Sequence, residues 1–180
     1  KKKLIKFNYI KINNFKKNGH AFTLYSFKEI WRKDKNSIIF LHSDIIFDFS
    51  FFKNIVNSRK PNIIGIKSTK NHVLKKNSFL VTANKNNCVS SISQKKNKKF
   101  FPQGEILGIN KFSKKTTENL FNYMDTFFDK NNKKLSWENV LNKYIQLKLD
   151  KFYILKKQCY NWININEHVD LLKAQKIKFK

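Results

Sequence analysis

Residues 37–68, "SIIFLHSDIIFDFSFFKNIVNSRKPNIIGIKS", decide the fold. Within Ser37–His42, Ile38 to Leu41 are apolar without alternation, which reads as a strand covered on both faces. From Phe49 to Ser58 the period changes, and Phe52, Ile55 and Val56 fall on one side of a helix. Pro61 and Asn62 stop that helix, and residues 62–68 return to a β-rich run. Strand, helix and strand in this short span predict a βαβ unit, hence an α/β domain with parallel strands.

Two acids punctuate this unit, and the next one along the chain is Glu105. Asp48 stands immediately before the predicted helix, where a carboxylate accepts a backbone N–H and favours the helix dipole, so it reads as a cap. Asp44 caps no helix. It lies just past the first strand, and in such sheets ligands collect beyond the carboxyl ends of the parallel strands. A carboxylate there is solvated, bonded to a loop, or holds a cation; Mg²⁺ needs few protein ligands because it keeps most of its waters.

Outward from this unit, residues 4–12 alternate loosely and predict a strand, and "TLYSFKEIWRK" (23–33) a helix with Thr23 as its cap. Toward the C-terminus, residues 78–94 form two alternating runs around Asn86-Asn87, which predicts a β-hairpin. "GEILGINKFS" (104–113) reads as a strand whose Gly104 and Gly108 mark close backbone approaches. Two amphipathic helices follow, at 116–130 and 136–148, the second with Ser136 as N-cap. A short strand at 151–157 and a helix at 167–178 close the chain. No repeat or boundary divides residues 1–180, so a single domain is expected.

The formal net charge is +26, yet Arg occurs only at 32 and 59. A surface built to grip phosphates recruits Arg for its bidentate fork, whereas here Lys is spread evenly among Asn, Ile and Phe. A polyanion-binding module remains an alternative on charge alone, with no motif for a specific nucleic acid. No apolar run has the length of a membrane span. Cys88 and Cys159 form no C-x-x-C and fit a reduced, cytoplasmic setting.

The stretch "WININEHVDLLKA" (162–174) places Asn164 and Asn166 on one face of an extended segment entering a helix. Taken alone it is a strand-to-helix turn, with Asn166 as N-cap and Asp170 complementing the dipole. Together, "IIFLHSDIIFD", "GEILGINKFS" and "WININEHVDLLKA" occur in the order seen in the nucleotidyltransferase superfamily, which the chain resembles over residues 4–177. That superfamily includes sugar-1-phosphate nucleotidyltransferases and cytidylyltransferases acting on phosphocholine and similar acceptors. The first stretch is similar to a strand ending in Gly-Asp, with Ser43 in place of Gly and Asp44 at the metal-binding position.

The resemblance implies a Rossmann-like, mixed but mainly parallel sheet flanked by helices, of the nucleotide-diphospho-sugar transferase type, with the hairpin inserted. It implies Mg²⁺ held by Asp44 and Asn166, which makes these the catalytic pair. It further implies an acceptor side built by Gly104, Glu105, Gly108 and Asn164, with Lys95 accompanying the phosphates. The expected reaction is nucleotidyl transfer from an NTP, such as CTP or UTP, to a sugar phosphate or phosphocholine-like acceptor, with release of pyrophosphate. Two departures stand out. Glu167 and His168 replace the usual Thr-Pro, and the superfamily's Gly-rich nucleotide loop is absent, so an N-terminally truncated, inactive chain is expected. A glycosyltransferase of the related GT-A fold is the alternative enzyme, because "FLHSD" is similar to the strand-end acidic motif of that group.

Overall fold

In a computed structural model, residues 9–13, 17–33, 36–68, 78–94, 101–128, 134–157 and 161–178 are described. Two short helices, α1 (His20–Tyr25) and α2 (Lys28–Arg32), occupy the region where one helix was expected. Ser26 ends α1 by turning its hydroxyl onto the Phe22 carbonyl, 2.9 Å away, a local bond that competes with continuation of the helix. Gly19, not Thr23, is the N-cap. Residues 9–12 form no strand, and residues 4–8 lie outside the described residues.

The βαβ reading holds element by element: β1 (Ile38–Leu41), then a short β2 (Ile45–Phe47), α3 (Phe49–Asn57) and β3 (Ile63–Ser68). The hairpin follows as β4 (Leu80–Ala83) and β5 (Val89–Ser93). Its turn places Asn87 at φ 60°, while the Asn84 side chain accepts from the backbone N–H groups of Asn86 and Cys88. This is turn chemistry that Asn supplies without a glycine. Then come β6 (Gly104–Phe112), α4 (Lys114–Phe128), α5 (Trp137–Gln146), β7 (Tyr153–Lys157), β8 (Trp162–Asn164) and α6 (His168–Gln175). Ser136 caps α5 as expected, its hydroxyl accepting from the Asn139 N–H at 3.2 Å.

The sheet is mixed and flanked by helices, but its neighbouring strands pair mostly antiparallel. Its order is β5-β4-β6-β3-β7, with β1 also paired to β6. Strands β1, β3, β4 and β7 all point one way, yet β6 runs against β1, β3 and β4. Among the described strands only β3 and β7 pair in parallel, in a register running from Ile63↔Tyr153 to Lys67↔Lys157. The expected parallel β1–β3 contact is therefore replaced by a strand from much later in the chain. Short-range periodicity records strand direction poorly and carries nothing about which strand lies between two others. For the same reason β1 is not covered on both faces as expected, and Leu41 is 50% exposed.

Alternation along β3 and β6 sends side chains to two cores. Ile64, Ile66 and Phe112 pack with Leu120, Met124, Trp137, Leu141 and Tyr144 of α4 and α5. Ile63, Leu107 and Ile109 pack on the other side with Phe51 and Ile55 of α3, and with Ile45, Phe47 and Trp162 around them. Phe51, rather than the expected Phe52, points inward from α3, and Val56 is exposed. The buried Asn62 fastens the start of β7: its amide donates to the Lys151 carbonyl at 3.0 Å, and its Oδ1 accepts from Ser113 N–H at 3.0 Å.

Candidate active site

The site begins with an irregularity in β6. Between Ile64 and Ile66 the β3–β6 register slips, so that Gly65 spans the stretch 107–109, a bulge centred on Gly108. Gly108 has φ +73°, and a Cβ there would lie 2.7 Å from the His42 ring. Both facts demand glycine. The Gly108 carbonyl accepts from the His42 N–H at 2.9 Å, which ties the end of β1 to the bulge. Gly104 answers to a close approach of a different kind, since a Cβ would meet the Lys67 carbonyl oxygen at 2.2 Å.

A two-stranded ribbon forms the facing wall. β2 and β8 pair antiparallel with Ile45↔Asn164, Ile46↔Ile163 and Phe47↔Trp162 in register. The pairing extends by one further bond, from Ile165 N–H to the Asp44 carbonyl at 2.8 Å. Asp44, from the first predicted motif, is thus set beside the segment 164–166 from the last. The indole N–H of Trp162 donates to the Leu107 carbonyl at 3.1 Å and fixes the ribbon to the β6 bulge.

Asp48 closes the ribbon's other end, and here the expected cap gives way. It occupies the N-cap position of α3, but its carboxylate makes no cap bond. That carboxylate accepts instead from the Asn161 N–H at 3.0 Å, while Asp48 N–H donates to the Asn161 carbonyl at 3.1 Å. Asp48 is 7% exposed, and a ribbon of three residues per strand has few other bonds to hold its end. Asn166 is no N-cap either. Glu167 takes that position without a side-chain bond, and Asn166 N–H donates to the carboxylate of buried Asp170 at 3.2 Å.

Between bulge and ribbon lies a cavity of about 90 Å³, to which Glu105, Gly108 and Asn164 contribute as expected. His42, Ser78, Glu138 and Trp162, none of them expected as site residues, complete its polar and aromatic lining. Ser78 donates to Glu105 Oε1 at 2.5 Å. The Asn164 Oδ1 is buried and has no hydrogen-bond partner. Neither Asp44 nor Asn166 lines the cavity. Both are exposed, and the bond between Asp44 and Ile165 holds Asp44 next to the segment that carries Asn164 and Asn166. Lys95 lies outside the described residues. The cation observed nearby is Lys67, whose Nζ stands 5.6 Å from the centre of the Trp162 ring. Burial lowers its pKa, and the Glu105 carboxylate pulls it part of the way back.

Glu138 sits in the first turn of α5, is 5% exposed and leaves Oε2 without a partner. Its other oxygen is 4.0 Å from His42 Nε2, too long for a hydrogen bond. The helix dipole returns about 0.3–1 kcal/mol to an acid in that position. Burying a charge costs several kcal/mol, so the dipole alone does not account for this acid. The sequence carried one signal: Glu138 falls between inward-facing Trp137 and Val140, on a helix otherwise apolar on that side.

The donor set suits a hard divalent cation. Asp44 brings a carboxylate with no side-chain partner among the described residues, and Asn164 a buried, unpaired amide oxygen. Mg²⁺ takes oxygen ligands of this kind and completes its shell with water and phosphate oxygens. Among the described residues no group of three or more His, Cys, Asp and Glu forms a protein-only cage.

No protein-family model matches the sequence, and no curated protein sequence matches it. Solved structures do share its fold. A Bacillus anthracis protein assigned as a glucose-1-phosphate thymidylyltransferase superimposes with TM-score 0.68 at 17% identity, over 98% of this chain and 68% of its own. The inositol-1-phosphate CTP transferase of T. maritima gives 0.67 at 15% identity, over 93% and 66%. The CTP:phosphocholine cytidylyltransferase of Streptococcus pneumoniae gives 0.68 at 15%, over 92% and 66%. The chain has the Rossmann-like fold of these nucleotidyltransferases and spans about two thirds of their length. No helix among the described residues is long and apolar enough to cross a membrane.

Proposed function

We propose that the protein to which this chain belongs transfers a nucleotidyl group from an NTP to a small phosphorylated acceptor and releases pyrophosphate. One observation carries this reading: on a fold shared with nucleotidyltransferases, the ribbon bonds Asp44 to Ile165, within the 164–166 segment whose Asn164 lines a cavity together with Glu105. An oxygen of the acceptor phosphate attacks the α-phosphorus in line. The bond from that phosphorus to the bridging oxygen breaks, and its electron pair leaves with pyrophosphate. In such a reaction the protein's work is positioning and charge neutralisation.

Asp44 would hold Mg²⁺ together with an amide of the 164–166 segment. Asn166 is the ligand that the sequence resemblance implies, and Asn164 is the one whose oxygen is unpaired beside the cavity. Bound there, Mg²⁺ would supply neutralisation of phosphate charge. Glu105, oriented by Ser78, accepts hydrogen bonds from the acceptor's far end. Lys67, set against Trp162 and coupled to the Glu105 charge, lends positive charge nearby without lining the cavity. Gly108 lets β6 and His42 approach closely at its edge, while Gly104 serves the contact with β3.

The test is pyrophosphate release by the intact protein with Mg²⁺, each common NTP, and glucose 1-phosphate, phosphocholine or phosphoethanolamine. Release that needs Mg²⁺ and falls about 100-fold or more in Asp44→Ala is expected. No release with any pair of substrates overturns the reading, and hydrolysis of UDP-sugars in its place points to the glycosyltransferase alternative.

A further inference from the structure

The proposal concerns what the acceptor carries besides its phosphate, and it rests on the nucleotidyl-transfer reading for the identity of the bound molecule. Glu138 is 5% exposed, lines the cavity, and leaves Oε2 with no donor. Glu105, whose charge is partly answered by Lys67, contributes a second carboxylate, while among the described residues neither Lys nor Arg lines the cavity. In a chain of formal charge +26, a small cavity whose described lining carries two acids and no Lys or Arg favours a cationic guest. Buried oxygens of this kind call for N–H or O–H donors, and carboxylates favour a positively charged one.

We propose that this cavity receives a primary ammonium group, that the acceptor is an amino-alcohol phosphate, and that Glu138 is the residue selecting it. Phosphate is excluded from the cavity itself by the two carboxylates. A neutral polyol would supply donors but leave the Glu138 charge uncompensated. A trimethylammonium group would supply charge without any N–H, and it is recognised through open aromatic faces. Lys67 already stands over the Trp162 ring. A primary ammonium supplies both the charge and the donors, with Glu138 and Glu105 as acceptors. His42, 4.0 Å from Glu138, is close enough to share the carboxylate without saturating it.

Calorimetric titration of the intact protein with phosphoethanolamine, phosphocholine and glycerol 3-phosphate tests this without any turnover. Phosphoethanolamine is expected to bind about tenfold or more tightly than either of the others, as a charge-assisted hydrogen bond allows. Glu138→Gln, which keeps the shape and removes the charge, should abolish that preference while circular dichroism shows an unchanged fold. Equal affinity for glycerol 3-phosphate or for phosphocholine in the unmutated protein overturns the proposal, as does a preference that survives in a folded Glu138→Gln. The unmutated comparison decides the matter even if the variant fails to fold. Selective binding without pyrophosphate release would leave this proposal standing and sink the nucleotidyl-transfer reading; release with neutral acceptors and no ammonium preference would do the reverse.

Discussion

The two faces of the sheet are built on different terms. On the α4–α5 side, Trp137 and Tyr144 are fully buried with Phe112 and Phe152, and their rings meet edge-on or tilted at centroid separations of 5.4–6.1 Å. On the ribbon side a smaller apolar cluster is supplemented by directional bonds at Asp48, Trp162 and Asp170. There Ile46, Val169, Leu171 and Leu172 remain exposed, Leu172 at 45%. The first face gains stability from area and close packing, whereas the second gives up area to hold polar groups in fixed positions. Asp44, Asn164 and Asn166 all lie on or beside the second. Glu138 is where the two meet, an acid carried to the cavity by α5.

The sharpest break of this contrast is Trp137→Ala, which removes a side chain packed on Phe40 at a ring separation of 5.0 Å. It should cost about 3–5 kcal/mol in urea unfolding. Leu172→Ala on the ribbon side should stay within about 0.5 kcal/mol, since the side chain is half exposed. Comparable losses would mean that the faces share one core after all.

Next in size, and confined to the ribbon face, is a comparison of two amides. Asn164→Ala should weaken Mg²⁺ binding to the intact protein about tenfold or more, and Asn166→Ala by less, because only the first carries a buried, unpaired oxygen beside the cavity. A larger loss in Asn166→Ala would return the cation to the pairing that the sequence resemblance implies.

The smallest expected effect lies where α1 and α2 dock on α4. Burial raises the Asp125 pKa, but hydrogen bonds from Lys28 and Tyr25 and the charges of Lys28 and Arg32 outweigh it, so the group sits below its ordinary value. A lowered folded pKa means stability that is present above the unfolded carboxylate value, about 3.9, and lost as the pH falls through the folded one. Asp125→Asn should therefore cost about 0.5–1 kcal/mol at pH 7, with the difference fading below pH 4. A difference constant across that range would assign the effect to packing.

Local pattern carried a good part of this site. Asp44 was marked by standing past a strand with nothing to cap, Gly108 by its place in an apolar strand, and the hairpin by Asn86-Asn87. Asp48 was misread because a carboxylate before a helix has a ready local partner, yet Asn161, more than a hundred residues later, binds it instead. Glu138 was missed because a first-turn acid usually faces water, and only the packing of α5 against the sheet shows that this one does not.

Read by itself, the chain determined most of the helices and strands, their order, and the Ser136 cap, since turns, periodicity and caps act over a few residues. Tertiary structure alone decided that β6 enters between β1 and β3, that the ribbon bonds Asp44 to Ile165, and that His42 and Glu138 line one cavity. Those outcomes depend on side chains far apart in sequence filling one another's space, and no local interaction records them.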